Sequence, residues 1–89
     1  MNDLSPQARK ILYRCTHRGT KELDLMLGSF ARAFVPQMDA ATLAAFADFT
    51  ELPEPLLLEC LIGKHPLPAT LPAGLAQMLR TYRYQPEAR

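Results

Sequence analysis

The stretch Arg18-Gly19-Thr20-Lys21-Glu22 sets a cation and a carboxylate four positions apart, with a glycine directly after the cation. Those residue types recognise; they do not make or break bonds. A guanidinium is planar and always charged, and it presents five donors to a carboxylate or carbonyl. Glycine lets the backbone enter the φ > 0 region and lets a second surface come close. A carboxylate at the start of a helix meets the positive end of the helix dipole. Alone, such a spacing is weak: about 2 chains in 100 of this length would carry it by chance at average composition. Its bland reading is a helix break with a solvated ion pair, which contributes little.

Other chemistry is thin. Cys15, His17, Cys60 and His65 are zinc-ligand types. Their spacing matches no familiar structural zinc site, and cysteine on an apolar stripe behaves as a small hydrophobe, so no metal is expected. Tyr82-Arg83-Tyr84 with Arg80 has the basic-aromatic make-up that stacks bases, but Tyr82 reads better as the edge of the core and Tyr84 as a helix end. No Ser–His–Asp set, carboxylate pair or glycine-rich phosphate loop is visible, and Gly19 and Gly28 are too far apart to cradle a dinucleotide. No catalytic constellation is legible in these residues.

Five helices are expected to carry these groups. Ser5 and Pro6 are an N-cap and first helical residue. Ala8, Ile11, Leu12 and Cys15 then give one apolar face to a helix ending near His17. Thr20 can cap the second helix, with Leu23, Met26, Leu27, Phe30 and Phe34 as its buried stripe and Pro36 as its stop. Gly28, inside that helix, suggests a close contact with another helix. Asp39 caps a third helix bearing Leu43, Phe46 and Phe49. The run Leu56 to Ile62 reads as a short buried helix, because no second strand exists to pair with it. After the turn Gly63 to Pro68, a fifth helix is expected from about Leu71 to Tyr84, with fraying beyond Pro86. The fold class is all-α, a compact five-helix bundle, with residues 1–89 as one domain.

Composition agrees. Hydrophobic residues are 48% and charged residues 21% of 89 residues, ordinary for a globular domain of modest core. The formal net charge of +1 is far from that of a dedicated nucleic-acid binder. Charge is concentrated near the start: Arg9, Lys10, Arg14, Arg18 and Lys21 face only Asp3 and Glu22 in the first 22 residues, a surface suited to an acidic partner. No apolar run has membrane-span length, and the opening residues lack a secretory apolar segment. The expectation is a cytoplasmic monomer with both cysteines reduced.

The segment His17-Arg18-Gly19-Thr20-Lys21-Glu22-Leu23-Asp24-Leu25 resembles the signature of the small succinate dehydrogenase assembly factors that promote covalent flavinylation. The likeness continues through Leu27 and Phe30, the acidic–proline stretch feeding the Leu-rich segment Glu54 to Ile62, the turn with Gly63 and Pro66, and Leu79-Arg80. It departs from many members in having no tryptophan and in His17, where arginine is common. The resemblance implies a five-helix fold and a non-enzymatic assembly factor. Its partner would be the flavoprotein subunit of succinate dehydrogenase, or of fumarate reductase, and it would help FAD become attached to that subunit without binding a cofactor stably itself. It assigns partner contact to Arg18, Gly19 and Glu22 and, less directly, to Asp24; His17 and Arg14 complete the candidate set. An antitoxin-like or nucleic-acid-linked helical module is the alternative from another class, and a flavin carrier a third.

Overall fold

The computed structural model describes residues 4–19 and 21–82, and five α-helices account for most of them. Helix α1 spans Pro6–Thr16; the Ser5 hydroxyl accepts the Ala8 N–H at 3.1 Å, and Pro6 occupies the first turn. Helix α2, Lys21–Phe34, passes directly into a 3₁₀ turn, Val35–Gln37, in which Pro36 cannot supply the N–H that would prolong the α-helix. Helix α3, Ala40–Phe49, is capped by Asp39, whose carboxylate accepts the Thr42 N–H at 2.8 Å. Helix α4 is Glu54–Leu61 and α5 is Ala73–Thr81. There is no strand among the described residues. No helix among them is long and apolar enough to cross a membrane.

Helix α5 is shorter than its periodicity suggests. Pro72 holds an extended φ/ψ as its N-cap, so Leu71 packs from the preceding turn. Tyr82 is extended again and lies outside the helix. Its ring still packs edge-on against Phe30 and Phe34, and its hydroxyl pairs with Ser29. Side-chain burial continued past the point where the backbone stopped being helical. Thr20, Tyr84 and the segment after Pro86 lie outside the described residues.

Helix α2 is the axis of the core. Leu23, Leu27, Phe30 and Ala31 on it are buried in one cluster with Ile11 and Cys15 of α1, Phe46 of α3, Leu57 of α4 and Leu75 and Leu79 of α5. Phe30 meets Phe34 and Phe46 with ring centroids 4.8 and 5.4 Å apart. Each fully buried side chain of this size contributes about 1.5–3 kcal/mol against the chain entropy that folding removes.

Gly28 explains how α1 and α2 come together. A Cβ built there would stand 2.8 Å from Thr16 Cγ2 and 3.8 Å from the Cys15 carbonyl oxygen. Thr16 cannot easily turn away, because its hydroxyl donates to the Leu12 and Tyr13 carbonyls. Gly28→Ala should gain about 1 kcal/mol of helix propensity but lose about 1–3 kcal/mol to overpacking. The expected net effect is destabilisation, and adding Thr16→Ser, which removes the clashing methyl, should restore it. Urea melts of the single and double variants decide this; an alanine variant more stable than the parent would mean that the helices have room to spare.

Candidate functional site

The break between α1 and α2 places the signature. His17 ends α1 outside helical φ/ψ, and Gly19 takes φ +97°, which L-residues rarely adopt. Among the described residues, its chain neighbours apart, a Cβ at Gly19 would meet nothing within 4 Å, so the turn needs glycine for its dihedral and not for room. Helix α2 begins with Lys21 and carries Glu22 and Asp24 in its first turn, where the helix dipole favours them.

Arg18 is less open than a residue on a rim would be. Its side chain is only 15% exposed, and its Nε lies 3.9 Å from a Glu54 carboxylate oxygen at the start of α4. That nitrogen is fully covered and has no hydrogen-bond partner. A donor left so is costly, so the guanidinium is held near its site by packing and charge, not by an optimised bond. The backbone beneath it is fixed differently: the Arg18 N–H donates to Asp24 Oδ1 at 2.8 Å. Asp24, read from sequence as a partner contact, also ties the signature turn to the first turn of α2.

The other candidates divide. Arg14 is ion-paired with Glu51 just after α3, both groups well exposed. Glu22 is exposed and has no ion pair with another described residue. His17 stacks on Tyr13, and its Nδ1 lies 2.9 Å from both the Tyr13 carbonyl and the Thr16 hydroxyl. The structure therefore gathers Arg14, His17, Arg18, Gly19, Glu22 and Asp24 at one end of the α1–α2 hairpin. It adds Glu51 from the α3–α4 connection and Glu54 from the start of α4, which sequence reasoning missed. The acidic–proline stretch beginning at Glu54 was visible, but nothing local says which cation it faces.

The four zinc-type residues do not form a cluster. No three metal-ligand side chains come together among the described residues. Cys60 Sγ lies 3.9 Å from His65 Nδ1 and donates to the Pro66 carbonyl at 3.7 Å. Cys15 sits in the core, 1% exposed. A concavity of about 730 Å³ lies at the opposite end of α4 from Glu54, between Leu61, His65, Leu67, Leu79 and Arg80. It shares no residue with the signature.

Burial pushes the Cys15 thiol up from the usual 9.0 to about 11, against the opposing pull of Arg18 and Arg14. The folded protein then keeps a proton that the unfolded chain gives up, so stability is fully present below pH 9 and falls as pH rises toward 11. The slope there should approach about 1.4 kcal/mol per pH unit from this group. Subtracting the same profile for Cys15→Ala isolates it from the tyrosines and lysines. A difference that stays flat across that window would show the thiol to be solvated.

Comparison with known proteins adds what geometry cannot. Residues 9–83 match a family described as flavinator of succinate dehydrogenase. A protein of Acetobacter pasteurianus named FAD assembly factor SdhE is 36% identical over 67 residues, 75% of this chain and 62% of that protein. The match thus spans less than two thirds of that relative's length. No solved structure shows a significant match.

Proposed function

The chain belongs to the family of flavinators of succinate dehydrogenase, and from that membership we propose that it binds the flavoprotein subunit of succinate dehydrogenase and promotes covalent attachment of FAD to it. A fumarate reductase flavoprotein is a second candidate client of the same kind. The observation that carries the reading is the signature turn itself: Gly19 at positive φ with no described residue but its chain neighbours close to its Cβ position, next to an arginine anchored through its backbone by Asp24.

The chain acts without being an enzyme. Attachment would join a client histidine nitrogen to the 8α carbon of FAD as a C–H bond of that carbon breaks and its proton leaves, the oxidised flavin ring itself taking up the two electrons, so no residue of this chain is asked to make or break a bond. Aligning two bound groups can supply a large part of a barrier. A small helical protein provides that by binding one client conformer more tightly than the others. The chain is proposed to act as a cytoplasmic monomer and to hold no cofactor of its own. Arg18 contributes charge-assisted donors to a client carboxylate or carbonyl. Gly19 keeps the approach clear, and Glu22, with no ion pair to another described residue, is available to a client cation.

The test uses purified chain, apo flavoprotein subunit and FAD. In-gel flavin fluorescence of the denatured subunit reports covalent attachment. Faster or more complete attachment with the chain present is the expected result. No change for either flavoprotein, with folded and monodisperse components, would sink the reading.

A further inference from the structure

Tyr13 is the most open large apolar side chain described, 64% exposed. Such exposure is ordinary in itself. This ring, however, has a stacking partner. It lies parallel to the His17 imidazole, with centroids 4.0 Å and planes 15° apart. His17 is itself held by its Nδ1 against the Tyr13 carbonyl and the Thr16 hydroxyl. The two stacked rings form a platform at the C-terminal end of α1, immediately before Arg18 and Gly19.

The surroundings of the platform are basic. Residues 4–19 contain Arg9, Lys10, Arg14 and Arg18 and no carboxylate. Arg14 and Arg18 face Glu51 and Glu54. The Arg9 guanidinium donates to the Leu4 carbonyl, and neither Arg9 nor Lys10 is ion-paired within the described residues. Lys10 is one turn before Tyr13 on the same helix, so an exposed aromatic and an uncompensated cation share a side of α1.

We infer that Tyr13, braced by His17, is the aromatic anchor of the interface, seated on an apolar spot rimmed by carboxylates on the flavoprotein subunit. This rests on the function proposed above. Tyrosine and arginine dominate binding energy at interfaces. A ring already stacked on a neighbour gives up less rotamer freedom on docking than an unpartnered one. A phosphate backbone is the poorer fit. Such binding scales with the number of uncompensated cations, and two of the four here already face carboxylates of their own chain.

The experiment measures affinity of the whole chain for the apo flavoprotein subunit by biolayer interferometry, with a thermal melt of each variant. Tyr13→Ala should weaken binding about tenfold or more. Tyr13→Phe, which keeps the ring, should stay within about twofold. Lys10→Glu should slow association, and the difference should shrink with added salt. All three should melt like the parent, because both positions are exposed. If the parent binds and Tyr13→Ala binds equally well, the platform is not in the interface and the proposed function stands without it. If the parent does not bind, both readings fall. If the parent instead binds duplex DNA at physiological salt and Tyr13→Ala does not, the platform serves nucleic acid and the inference is overturned.

Discussion

Gly19→Arg is expected to abolish client flavinylation while leaving a folded protein. Two effects act at this position and can be separated. The first is backbone strain: Gly19 sits at φ +97°, and an L-residue held in so sparsely populated a region costs about 1–3 kcal/mol. The second is the side chain itself. Among the described residues, its chain neighbours apart, no atom lies within 4 Å of where its Cβ would stand, so an arginine there meets none of them and projects into the space a partner would fill. Total stabilities of small domains run to about 5–15 kcal/mol, so the strain lowers the melting temperature without unfolding the chain at room temperature. Gly19→Ala carries the same strain with almost no added bulk. Alanine should therefore keep part of the client affinity that arginine loses, while both melt at similar temperatures. If the two variants lose binding equally, the turn conformation matters and close approach does not. If arginine unfolds the chain and alanine does not, something internal occupies the space after all.

Arg18→Lys should weaken client binding about tenfold or more, with little change in stability. Lysine keeps the charge but replaces a planar fork by a point charge, so a bidentate contact becomes a single one. Breaking a desolvated, hydrogen-bonded charge pair typically costs about 2–5 kcal/mol of binding, and about 1.4 kcal/mol is already tenfold. The fold should hardly register the change. The covered Nε makes no hydrogen bond, and its 3.9 Å approach to Glu54 is at the outer limit of an ion pair. The backbone bond from Arg18 to Asp24 does not depend on the side chain at all. Binding of purified Arg18→Lys to the apo flavoprotein subunit, beside Lys64→Ala as a remote exposed cation, reads this out, with covalent FAD as the second measure. Equal, parent-like binding by both variants would make Arg18 an internal charge and move the interface elsewhere. A large drop in melting temperature for Arg18→Lys would assign it to the fold.

What could be read before any coordinates were known is what depends on neighbours in the chain. Ser5 and Asp39 cap their helices because a short polar side chain reaches an amide three residues on, and Pro36 stops α2 because its nitrogen carries no hydrogen. The stripes Leu23–Leu27–Phe30 and Leu43–Phe46–Phe49 follow from helical periodicity, so helix number and fold class came with them. The residue types of the signature, and the need for glycine at the break, were legible for the same reason. Tertiary packing decided the rest. Arg14 meets Glu51, 37 residues away, and Arg18 meets Glu54, only because the α3–α4 connection and the start of α4 are brought against the end of α1. That encounter turns Arg18 from an exposed cation into a mostly covered one. It is Asp24, not Glu22, that reaches back to Arg18, because the direction of a side chain from a helix's first turn depends on how the preceding turn is folded over it. Gly28 hinted at a close helix contact, but only the approach of Thr16 says what fills the space. Periodicity reports which face is apolar; it carries no information on what that face, or the polar edge beside it, will touch.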